Sequence, residues 1–501
     1  MEYILFNPNY VLKPDNGKTL MMVSLVGRKL VSGIDDSFTC VIHPIYAMIL
    51  SFIDGRVVSD CVRDAAQYIG VSPELVQNYI STLIDNPEYV YLKGKDGVSV
   101  FPPFTIISKS HMTLMNRYNP SMFDYDKVDL QMTRHLTPSS LTIMINNICV
   151  TNCIYCYQDK SRKVDCTIPF KRIIELIHEA FDLHVNSFDV IGGEFFLYKH
   201  WKEVLAELRH YGYNPYLSTK MPLKEDDIKF LSDIRIRDLQ VSIDSLIEKH
   251  LIESIAIKKG YVSQIIQTLK KLDEYGIRIM VHTVLTRFND SVKDMDSIFQ
   301  VLKEIKHLQE WHVVKGEETL YPKTDYKSIE ISGSAMDDII DFLEHQAKKT
   351  GINIISPKKS EPKVSVSVSA SHKMKIHHDN KDSFFNRVFC SGLFSSLYIL
   401  PDGKVTICEQ LYWNKDFIIG DVTKNSIQEI WDSDKAKSLY YIKQEDIPSD
   451  SLCHSCEDFE KCRRLRQVCY REIIKKYGTE KWYYPDVKCP YVCTDEKNEN
   501  D

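Results

Sequence analysis

Three closely spaced cysteines are the residues of this sequence whose types and spacing best suit chemistry. Cys149, Cys153 and Cys156 follow a C-x3-C-x2-C pattern directly after a strand predicted over residues 142–145. Three thiolates on one short loop can bind a single iron–sulfur cube and leave its fourth iron without a protein ligand. An iron of that kind can bind a small molecule rather than only pass electrons. The alternatives are a structural zinc site, which needs four ligands, and unrelated buried cysteines.

A second group of cysteines lies near the end of the chain. Eight of the 14 cysteines follow residue 389, and they are Cys390, Cys408, Cys453, Cys456, Cys462, Cys469, Cys489 and Cys493. In a compartment that keeps thiols reduced, such clusters indicate metal binding or catalysis rather than disulfides. Eight thiolates suffice for two fully ligated iron–sulfur cubes, which take four each. A zinc-ribbon-like fold is the alternative interpretation of the C-x2-C pair.

Other potential metal ligands have simpler interpretations. Three cysteines without a partner by spacing are expected to be ordinary, mostly buried thiols: Cys40, Cys61 and Cys166. The stretch 357–386 is rich in Lys and Ser and predicts a linker or surface loop. Its histidines are therefore interpreted as solvated rather than metal-binding: His372, His377 and His378.

Alternating strands and helices over residues 138–350 must position the first cysteine group. The predicted strands are Thr142–Ile145, Phe188–Ile191, Tyr216–Thr219, Leu239–Ile243, Arg278–Leu285 and Trp311–Val314. Helical segments such as 170–181 and 262–275 lie between them. Six consecutive βα units predict an α/β fold with a parallel sheet curved into a partial barrel, and chemistry at the carboxyl ends of its strands.

The first 110 residues follow a different pattern. Two strands flank an Asp15-Asn16-Gly17 turn, and three helices follow, the third beginning at Ser72-Pro73-Glu74. Short strands around Lys93–Gly97 then predict a β-wing. This order predicts a winged helix-turn-helix. Nine Lys/Arg against eleven Asp/Glu in this segment argue against phosphate binding and hence against DNA.

Length and composition are those of an ordinary globular protein. The 501 residues, 44% hydrophobic and 26% charged, suffice for about three domains. A net charge of −6 predicts neither nucleic acid nor an anionic membrane as a partner. The first ten residues lack signal-peptide character, and no apolar run approaches the ~18 residues of a spanning helix. A cytoplasmic, soluble protein is expected.

Two further motifs, combined with the cysteine triplet, resemble the radical S-adenosylmethionine (SAM) superfamily. Gly192-Gly193-Glu194 ends the second predicted barrel strand, and Ser242-Ile243-Asp244 ends the fourth. The resemblance implies a partial (β/α)6 TIM-like barrel whose [4Fe–4S] cluster binds SAM at its open iron. Reductive cleavage of SAM then gives a 5′-deoxyadenosyl radical that takes hydrogen from a substrate. The resemblance assigns SAM contacts to Tyr155 (adenine), Gly192, Gly193, Glu194, Ser242 and Asp244.

The chain departs from that family's pattern in three places. Phe195-Phe196 stands where a proline often follows the Gly-Gly-Glu motif, and these rings are expected to narrow the floor of the pocket. Ser218-Thr219-Lys220 replaces the usual asparagine-glycine at the third strand end. The arginine that many relatives carry after the fourth strand has no clear counterpart.

The C-terminal cysteines resemble the SPASM extension of radical SAM enzymes, which carries auxiliary [4Fe–4S] clusters. The resemblance implies two such clusters, hence three clusters in all. The first would use Cys390, Cys408 and Cys469, the second Cys453, Cys456 and Cys462, with Cys489 and Cys493 completing the sets. Where the family has a further cysteine this chain has Arg466. Cys469 substitutes for it through a longer loop in this interpretation.

The front domain resembles the peptide-recognition element of enzymes that modify ribosomally made peptides, in which a precursor's leader adds as a strand to a sheet edge. The resulting domain organisation is 1–110 recognition element, 111–137 linker, 138–350 radical SAM barrel, 351–386 linker and 387–501 SPASM domain.

The whole chain thus resembles a radical SAM/SPASM peptide maturase that forms thioether cross-links. Its expected partners are a precursor peptide and an electron donor such as flavodoxin or ferredoxin. Alternatives are carbon–carbon or carbon–oxygen macrocyclisation, epimerisation, and sulfatase-type formylglycine formation. A hypothesis from another class of protein is an iron–sulfur sensor with a DNA-binding head.

Overall fold

The structure of the protein is a computed structural model that describes residues 2–24, 39–115, 118–161, 163–321, 324–358, 381–388, 390–464 and 466–492. Cys493 and the three histidines of the 357–386 stretch lie outside these residues. The chain divides into two compact units. Unit 1 comprises Met1–Ser140, Ala180–Phe188 and Tyr211–Asn214, and unit 2 comprises Leu141–Glu179, Asp189–His210 and Pro215–Asp501.

Unit 1 contains two three-stranded sheets, a hairpin and three helices. Its strands are β1 (Tyr3–Phe6), β2 (Tyr10–Asp15), β3 (Lys18–Val23), β4 (Thr39–Ile42), β5 (Asp54–Val57), β6 (Val90–Gly94), β7 (Gly97–Phe101) and β8 (Ile106–Lys109). Its helices are α1 (Pro44–Leu50), α2 (Val58–Ile69) and α3 (Pro73–Leu83). The sheet orders are β2-β3-β4 and β5-β1-β8, and β6 pairs with β7.

Local sequence explains most of these elements. The turn expected at Asp15–Gly17 joins β2 to β3 with Asp15 opposite Lys18. Gly17 has a φ of 68°, and a Cβ there would lie 2.2 Å from the carbonyl oxygen of Lys127, so the turn requires glycine. Helix α3 begins as expected, with the Ser72 side chain accepting from the backbone N–H of Leu75 and proline next in the chain. The three helices and the β6–β7 hairpin follow in the predicted order.

The part of the chain that follows residue 139 contains a parallel sheet and a mixed one, and it lies mostly in unit 2. Its strands are β9 (Ser140–Met144), β10 (Ser187–Ile191), β11 (Ser218–Thr219), β12 (Asp238–Ser242), β13 (Arg278–Leu285), β14 (Leu308–Lys315), β15 (Ile354–Ile355), β16 (Ser396–Ile399), β17 (Lys404–Thr406) and β18 (Ile418–Asp421). The intervening helices are α4 (Phe170–Asp182), α5 (Trp201–His210), α6 (Glu225–Asp233), α7 (Glu248–Ile255), α8 (Tyr261–Glu274), α9 (Val292–Leu302) and α10 (Gly333–Thr350). The last helices are α11 (Ile427–Trp431), α12 (Asp434–Tyr440) and α13 (Tyr470–Tyr477).

The strand order confirms the α/β fold class and shows how the barrel is built. Strands β11 to β15 form a parallel sheet in sequence order, whereas β9 and β10 belong to a second sheet of order β10-β9-β16-β17-β18. The predicted single six-stranded sheet is therefore divided between β10 and β11. Near this division the backbone N–H of Tyr216 donates to the Asp189 carboxylate at 2.7 Å instead of to a neighbouring strand. Pro215 has no backbone N–H and therefore cannot donate a hydrogen bond to a neighbouring strand.

The C-terminal strands form the hairpin that the sequence predicts. Tyr398 of β16 lies opposite Thr406 of β17, and Gly403 in the turn has a φ of 84°. Helix α11 begins with a capping box between Ser426 and Glu429. Over the part of the chain that the structure describes, no helix has the length and apolar character needed to cross a membrane.

Candidate functional site

The loop after β9 carries the first cysteine group. The Asn147 side chain holds both ends of this loop, because it donates to the carbonyl of Asp159 at 3.0 Å and accepts from the N–H of Val164 at 2.8 Å. The backbone N–H groups of Asn152 and Ile154 donate to carbonyls at the end of α7, at 2.9 and 3.0 Å. These bonds fix a loop that has no regular secondary structure of its own.

The three thiols of this group are half-buried neighbours. Burial raises the pKa of Cys149 to about 11, and the nearby Cys156 and Cys153 raise it further, while Lys160 opposes this change. The Lys160 ammonium lies 3.5 Å from the Cys149 sulfur. A bound metal cation favours the thiolate form and would remove this penalty.

The thiols of the triplet are compatible with an iron–sulfur cube. Among the described residues, no set of three or more His, Cys, Asp or Glu side chains could hold a metal ion. A [4Fe–4S] cube takes each thiolate on a different iron, so its ligands need not converge on one point.

The Gly-Gly-Glu motif packs directly against this loop. A Cβ on Gly192 would lie 2.7 Å from the carbonyl oxygen of Asn146, and one on Gly193 would lie 2.1 Å from that of Ile148. The N–H groups of Gly193 and Glu194 donate to these same two carbonyls at 2.6 and 2.7 Å. Only glycine permits this approach, and it aims Glu194 into the barrel. Phe195 and Phe196 are buried, and Phe196 packs against Trp201.

Glu194 is a buried carboxylate with few partners. Its Oε2 accepts from the Thr219 hydroxyl at 2.9 Å and from the N–H of Lys220 at 3.2 Å. Burial raises the pKa of Glu194 to about 7 despite these bonds. A carboxylate in this state is ready to bind a cation, such as the ammonium of an amino acid.

A second charged group lies at the ends of β11 and β12. The Lys220 ammonium lies 2.9 Å from Asp244 Oδ2 and 5.6 Å from the centre of the Tyr155 ring. The Tyr155 hydroxyl also donates to Asp244. Burial alone would lower the pKa of Lys220, but Asp244 and Cys153 raise it above its ordinary value. Ser242 is half-buried and accepts from Gln240 at 3.4 Å.

Two histidines inside the barrel were not identified by the sequence analysis. His282 of β13 lies opposite His312 of β14, with ring centres 5.4 Å apart. Burial lowers the pKa of His282 to about 4, and Lys220 and His312 lower it further. The imidazole is therefore neutral at pH 7. The sequence shows one histidine in each of these two strands. Only the register between β13 and β14 reveals that the two histidines are opposite each other.

Four of the C-terminal cysteines share one small pocket: Cys453, Cys456, Cys462 and Cys489. Burial raises the pKa of Cys489 to about 11, and each of the other three raises it further. Arg463 lines the same pocket and is 1% exposed, yet its Nε and Nη1 have no hydrogen-bond partner among the described residues. A buried cation with unused donors beside four thiols fits an anionic [4Fe–4S] cluster.

Three other cysteines form a separate neighbourhood: Cys390, Cys408 and Cys469. Burial raises the pKa of Cys408 to about 12, and both of the others raise it further. Cys390 and Cys469 are exposed and line a wider pocket of about 700 Å³. The structure thus brings Cys469 to the neighbourhood assigned to the first auxiliary cluster and groups Cys489 with the second.

An acidic aromatic patch lies beside Cys408. Glu409 contributes to raising the pKa values of Tyr157, Tyr398 and Tyr412, after burial as the main cause. Tyr157 directly follows Cys156, so this patch connects the surroundings of the two cysteine groups. Nothing in the spacing of the sequence singled out Glu409.

Comparison with known proteins agrees with this arrangement. Residues 143–299 match the family model of the radical SAM superfamily, and residues 390–457 match the iron–sulfur cluster-binding SPASM domain. The sporulation killing factor maturation protein SkfB of Bacillus subtilis is 22% identical over 299 residues, which are 58% of this chain and 64% of that protein. The antilisterial bacteriocin subtilosin biosynthesis protein AlbA of the same organism is 20% identical over 342 residues, 64% of this chain and 67% of AlbA.

A solved structure resembles nearly the whole fold. Streptococcus suis SuiB, in its complex with the precursor peptide SuiA, superposes with a TM-score of 0.62 at 14% identity, covering 97% of this chain and 99% of SuiB. SuiB bound to SAM gives the same TM-score. The cysteine triplet and the Gly-Gly-Glu and Ser-x-Asp motifs all fall inside the first matched segment. The chain therefore contains a radical SAM domain followed by an iron–sulfur cluster-binding SPASM domain.

Proposed function

We propose that the chain is a radical SAM enzyme that modifies a ribosomally made precursor peptide by forming thioether cross-links. The observation that carries this proposal is the cysteine triplet beside the Glu194 and Asp244 carboxylates, in a chain that also holds two C-terminal cysteine groups. The names of the relatives support a peptide substrate, since they refer to a maturation protein, to bacteriocin biosynthesis and to a complex with a precursor peptide.

The triplet residues would hold a [4Fe–4S] cluster and leave one iron for SAM. SAM bound there and reductively cleaved supplies a 5′-deoxyadenosyl radical, which takes a hydrogen atom from the substrate. Glu194 would bind the ammonium of SAM, because its buried carboxylate accepts only from uncharged groups in this state. Lys220 would offer its ammonium to the SAM carboxylate from the same rim, since its Nζ lies 2.9 Å from Asp244 at the strand ends.

Cross-linking requires the substrate to lose two hydrogens. One leaves as a hydrogen atom to the adenosyl radical, and the other leaves as a proton and an electron when the new bond closes. The C-terminal groups would hold two auxiliary clusters, one of which would accept this electron, with Cys390, Cys408 and Cys469 in one set and Cys453, Cys456, Cys462 and Cys489 in the other. A thioether is favoured because a substrate thiolate is itself a natural ligand for iron.

Unit 1 would bind the leader of the precursor. Its β2-β3-β4 sheet has β2 and β4 as edges, and strand addition to such an edge is a common way to bind an extended peptide. Deletion of residues 1–110 should then weaken precursor binding while SAM cleavage without peptide persists. If the precursor binds with equal affinity with and without residues 1–110, this segment has only a structural role.

The decisive experiment is anaerobic incubation with SAM, dithionite and the short peptide encoded beside this gene, followed by mass spectrometry. A loss of two hydrogens together with the loss of an alkylatable cysteine thiol indicates a thioether, and an unchanged mass indicates epimerisation. Replacing Cys149, Cys153 and Cys156 together by Ala should abolish 5′-deoxyadenosine formation. Cys166→Ala is the matched control, because its half-buried thiol donates to the carbonyl of Ile168, at 3.7 Å, and interacts with the Tyr198 side chain. Undiminished SAM cleavage in the triple variant would refute the assignment.

A further inference from the structure

Asp294 is a buried carboxylate outside the set of residues assigned to SAM. It lies in the first turn of α9, and its side chain is 1% exposed. Its Oδ1 accepts from the Ser245 hydroxyl at 2.6 Å and from His250 Nδ1 at 2.9 Å, and its Oδ2 accepts from the Ser291 hydroxyl at 2.5 Å. A buried carboxylate needs such donors. Because the chain itself supplies them, Asp294 acts through the groups that it holds rather than on a ligand.

The bond to Ser245 fixes the backbone beside Asp244. Ser245 directly follows Asp244 and is completely buried. The hydroxyl that donates to Asp294 also accepts the N–H of Ile247 at 2.9 Å, so it closes the turn after β12. The Asp244 carboxylate is itself tied to β13, because its Oδ1 accepts the N–H of Val284 at 3.0 Å. The position of Asp244 thus depends on both its own side chain and the turn that Asp294 holds.

The bond to His250 leads to the cysteine triplet. His250 lies in α7, and the last two carbonyls of this helix accept the backbone N–H groups of Asn152 and Ile154 at 2.9 and 3.0 Å. These two N–H groups flank Cys153 in the triplet loop. Because a helix is a rigid element, the bond between His250 and Asp294 restrains this loop through α7.

A single buried side chain thus joins the turn that carries Asp244 to the loop that carries the triplet. We propose that Asp294 is a positioning residue for SAM, which holds the Asp244 carboxylate and the cysteine triplet at the separation that SAM binding requires. Such support matters because a binding group must be held within about 0.5 Å of its productive position. Asp294 contacts neither SAM nor iron in this role, so its loss weakens SAM binding without removing the cluster. The proposal rests on SAM binding at the triplet cluster, which is part of the proposed function, and does not depend on the peptide.

The simpler role of Asp294 would be to stabilise the start of α9. Ser291 is the N-cap of this helix, and its hydroxyl accepts the N–H of Asp294 at 3.2 Å. Ser291→Ala removes this cap and one bond to the carboxylate but leaves those from Ser245 and His250. It is therefore the matched control, and it should lower the melting temperature while leaving the SAM affinity unchanged.

The test is anaerobic equilibrium dialysis of SAM against the cluster-loaded full chain, with iron content and thermal unfolding measured in parallel. Asp294→Ala should raise the Kd for SAM by about 10-fold or more, as loss of a residue that supports a metal site typically does, while iron content stays at the wild-type level. Asp294→Asn keeps an acceptor oxygen for Ser245 and His250 and should recover most of this affinity. In an Asp244→Asn background, Asp294→Ala should change the Kd far less, because the carboxylate that it positions is already gone.

Three results would overturn the inference in a wild-type protein that binds SAM. They are an unchanged Kd in Asp294→Ala, an equal rise in Ser291→Ala, and full additivity of the Asp294→Ala and Asp244→Asn effects. If Asp294→Ala does not load its clusters, Ser245→Ala decides instead, because it removes the bond beside Asp244 and keeps the one from His250. Ser245→Ala should then weaken SAM binding, and an unchanged Kd would overturn the inference. A cluster-loaded wild-type protein that does not bind SAM would contradict the proposed function and the inference with it, whereas the other results contradict the inference alone.

Discussion

Substituting Gly193 by Ala tests whether the close approach of two loops aims Glu194 at its ligand. The added Cβ would lie 2.1 Å from the carbonyl oxygen of Ile148, more than 1 Å inside the 3.4 Å at which ordinary contact begins. This oxygen accepts the N–H of Glu194 at 2.7 Å, and the neighbouring carbonyl of Asn146 accepts that of Gly193 at 2.6 Å. The loops cannot separate without lengthening both bonds.

The cost follows from these contacts. Two backbone hydrogen bonds contribute about 1 kcal/mol each, and an overpacked buried contact costs about 1–3 kcal/mol, so a loss of about 3–5 kcal/mol in unfolding free energy is expected. Displacing Glu194 would also weaken its charge-assisted bond to the SAM ammonium, worth about 1.5–3 kcal/mol. That corresponds to roughly a 10- to 150-fold rise in the Kd for SAM.

The assay is anaerobic equilibrium dialysis of SAM against cluster-loaded protein, with thermal unfolding measured in parallel. Gly333→Ala is the matched control, because nothing lies within 4 Å of its Cβ position and its φ is not in the left-handed region. It begins α10 and should be neutral or more stable by up to about 1 kcal/mol. A Gly193→Ala protein with the wild-type Kd and melting temperature would refute this reasoning.

Three further perturbations give separate readouts. Lys220→Met breaks a pair whose Asp244 side chain is only 3% exposed, so it should cost roughly 3 kcal/mol in urea titrations, while Lys220→Arg should recover part of that loss. Burial lowers the pKa of His135 to about 3, and the cations nearby lower it further. Because the unfolded chain takes up this proton near pH 6.5, the free energy of unfolding should fall as the pH drops from 6.5 towards 3. His135→Asn should flatten this pH dependence, measured as denaturant midpoints. Cys469→Ala should lower anaerobic iron content by up to about four per chain while SAM cleavage persists, and unchanged iron would contradict its role as a ligand.

The sequence predicts the elements that are long or strongly patterned. Strand β13 runs over Arg278–Leu285, as expected, and β12 and β14 overlap the predicted strands closely. The short strands β1, β5 and β8 were not predicted, and of these β5 has the sequence Asp-Gly-Arg-Val and lies at the edge of its sheet. Residues with weak strand propensity adopt this conformation only when a neighbouring strand is present, which a single sequence does not reveal.

The motifs of the candidate site were predictable, whereas the groups that tune it were not. Spacing identified the triplet, and the resemblance to the radical SAM family identified Glu194, because both motifs are local in the chain. Lys220, His282 and Glu409 matter through neighbours between 24 and more than 200 residues distant, as the bond from Lys220 to Asp244 and the closeness of Glu409 to Tyr157 illustrate. Such proximity depends on strand register and on the return of the C-terminal strands to β9, both of which belong to the tertiary fold.

The departure at Arg466 shows how a change in spacing is accommodated. Between Arg466 and Cys469 the backbone turns through Gln467, whose φ of 61° is costly for a residue other than glycine, by about 1–2 kcal/mol. Arg387 donates to the carbonyl of Gln467, and Gln467 itself donates to the carbonyl of Tyr440 at 3.2 Å, so the turn is held from both sides. This turn delivers Cys469 to the neighbourhood of Cys390 and Cys408.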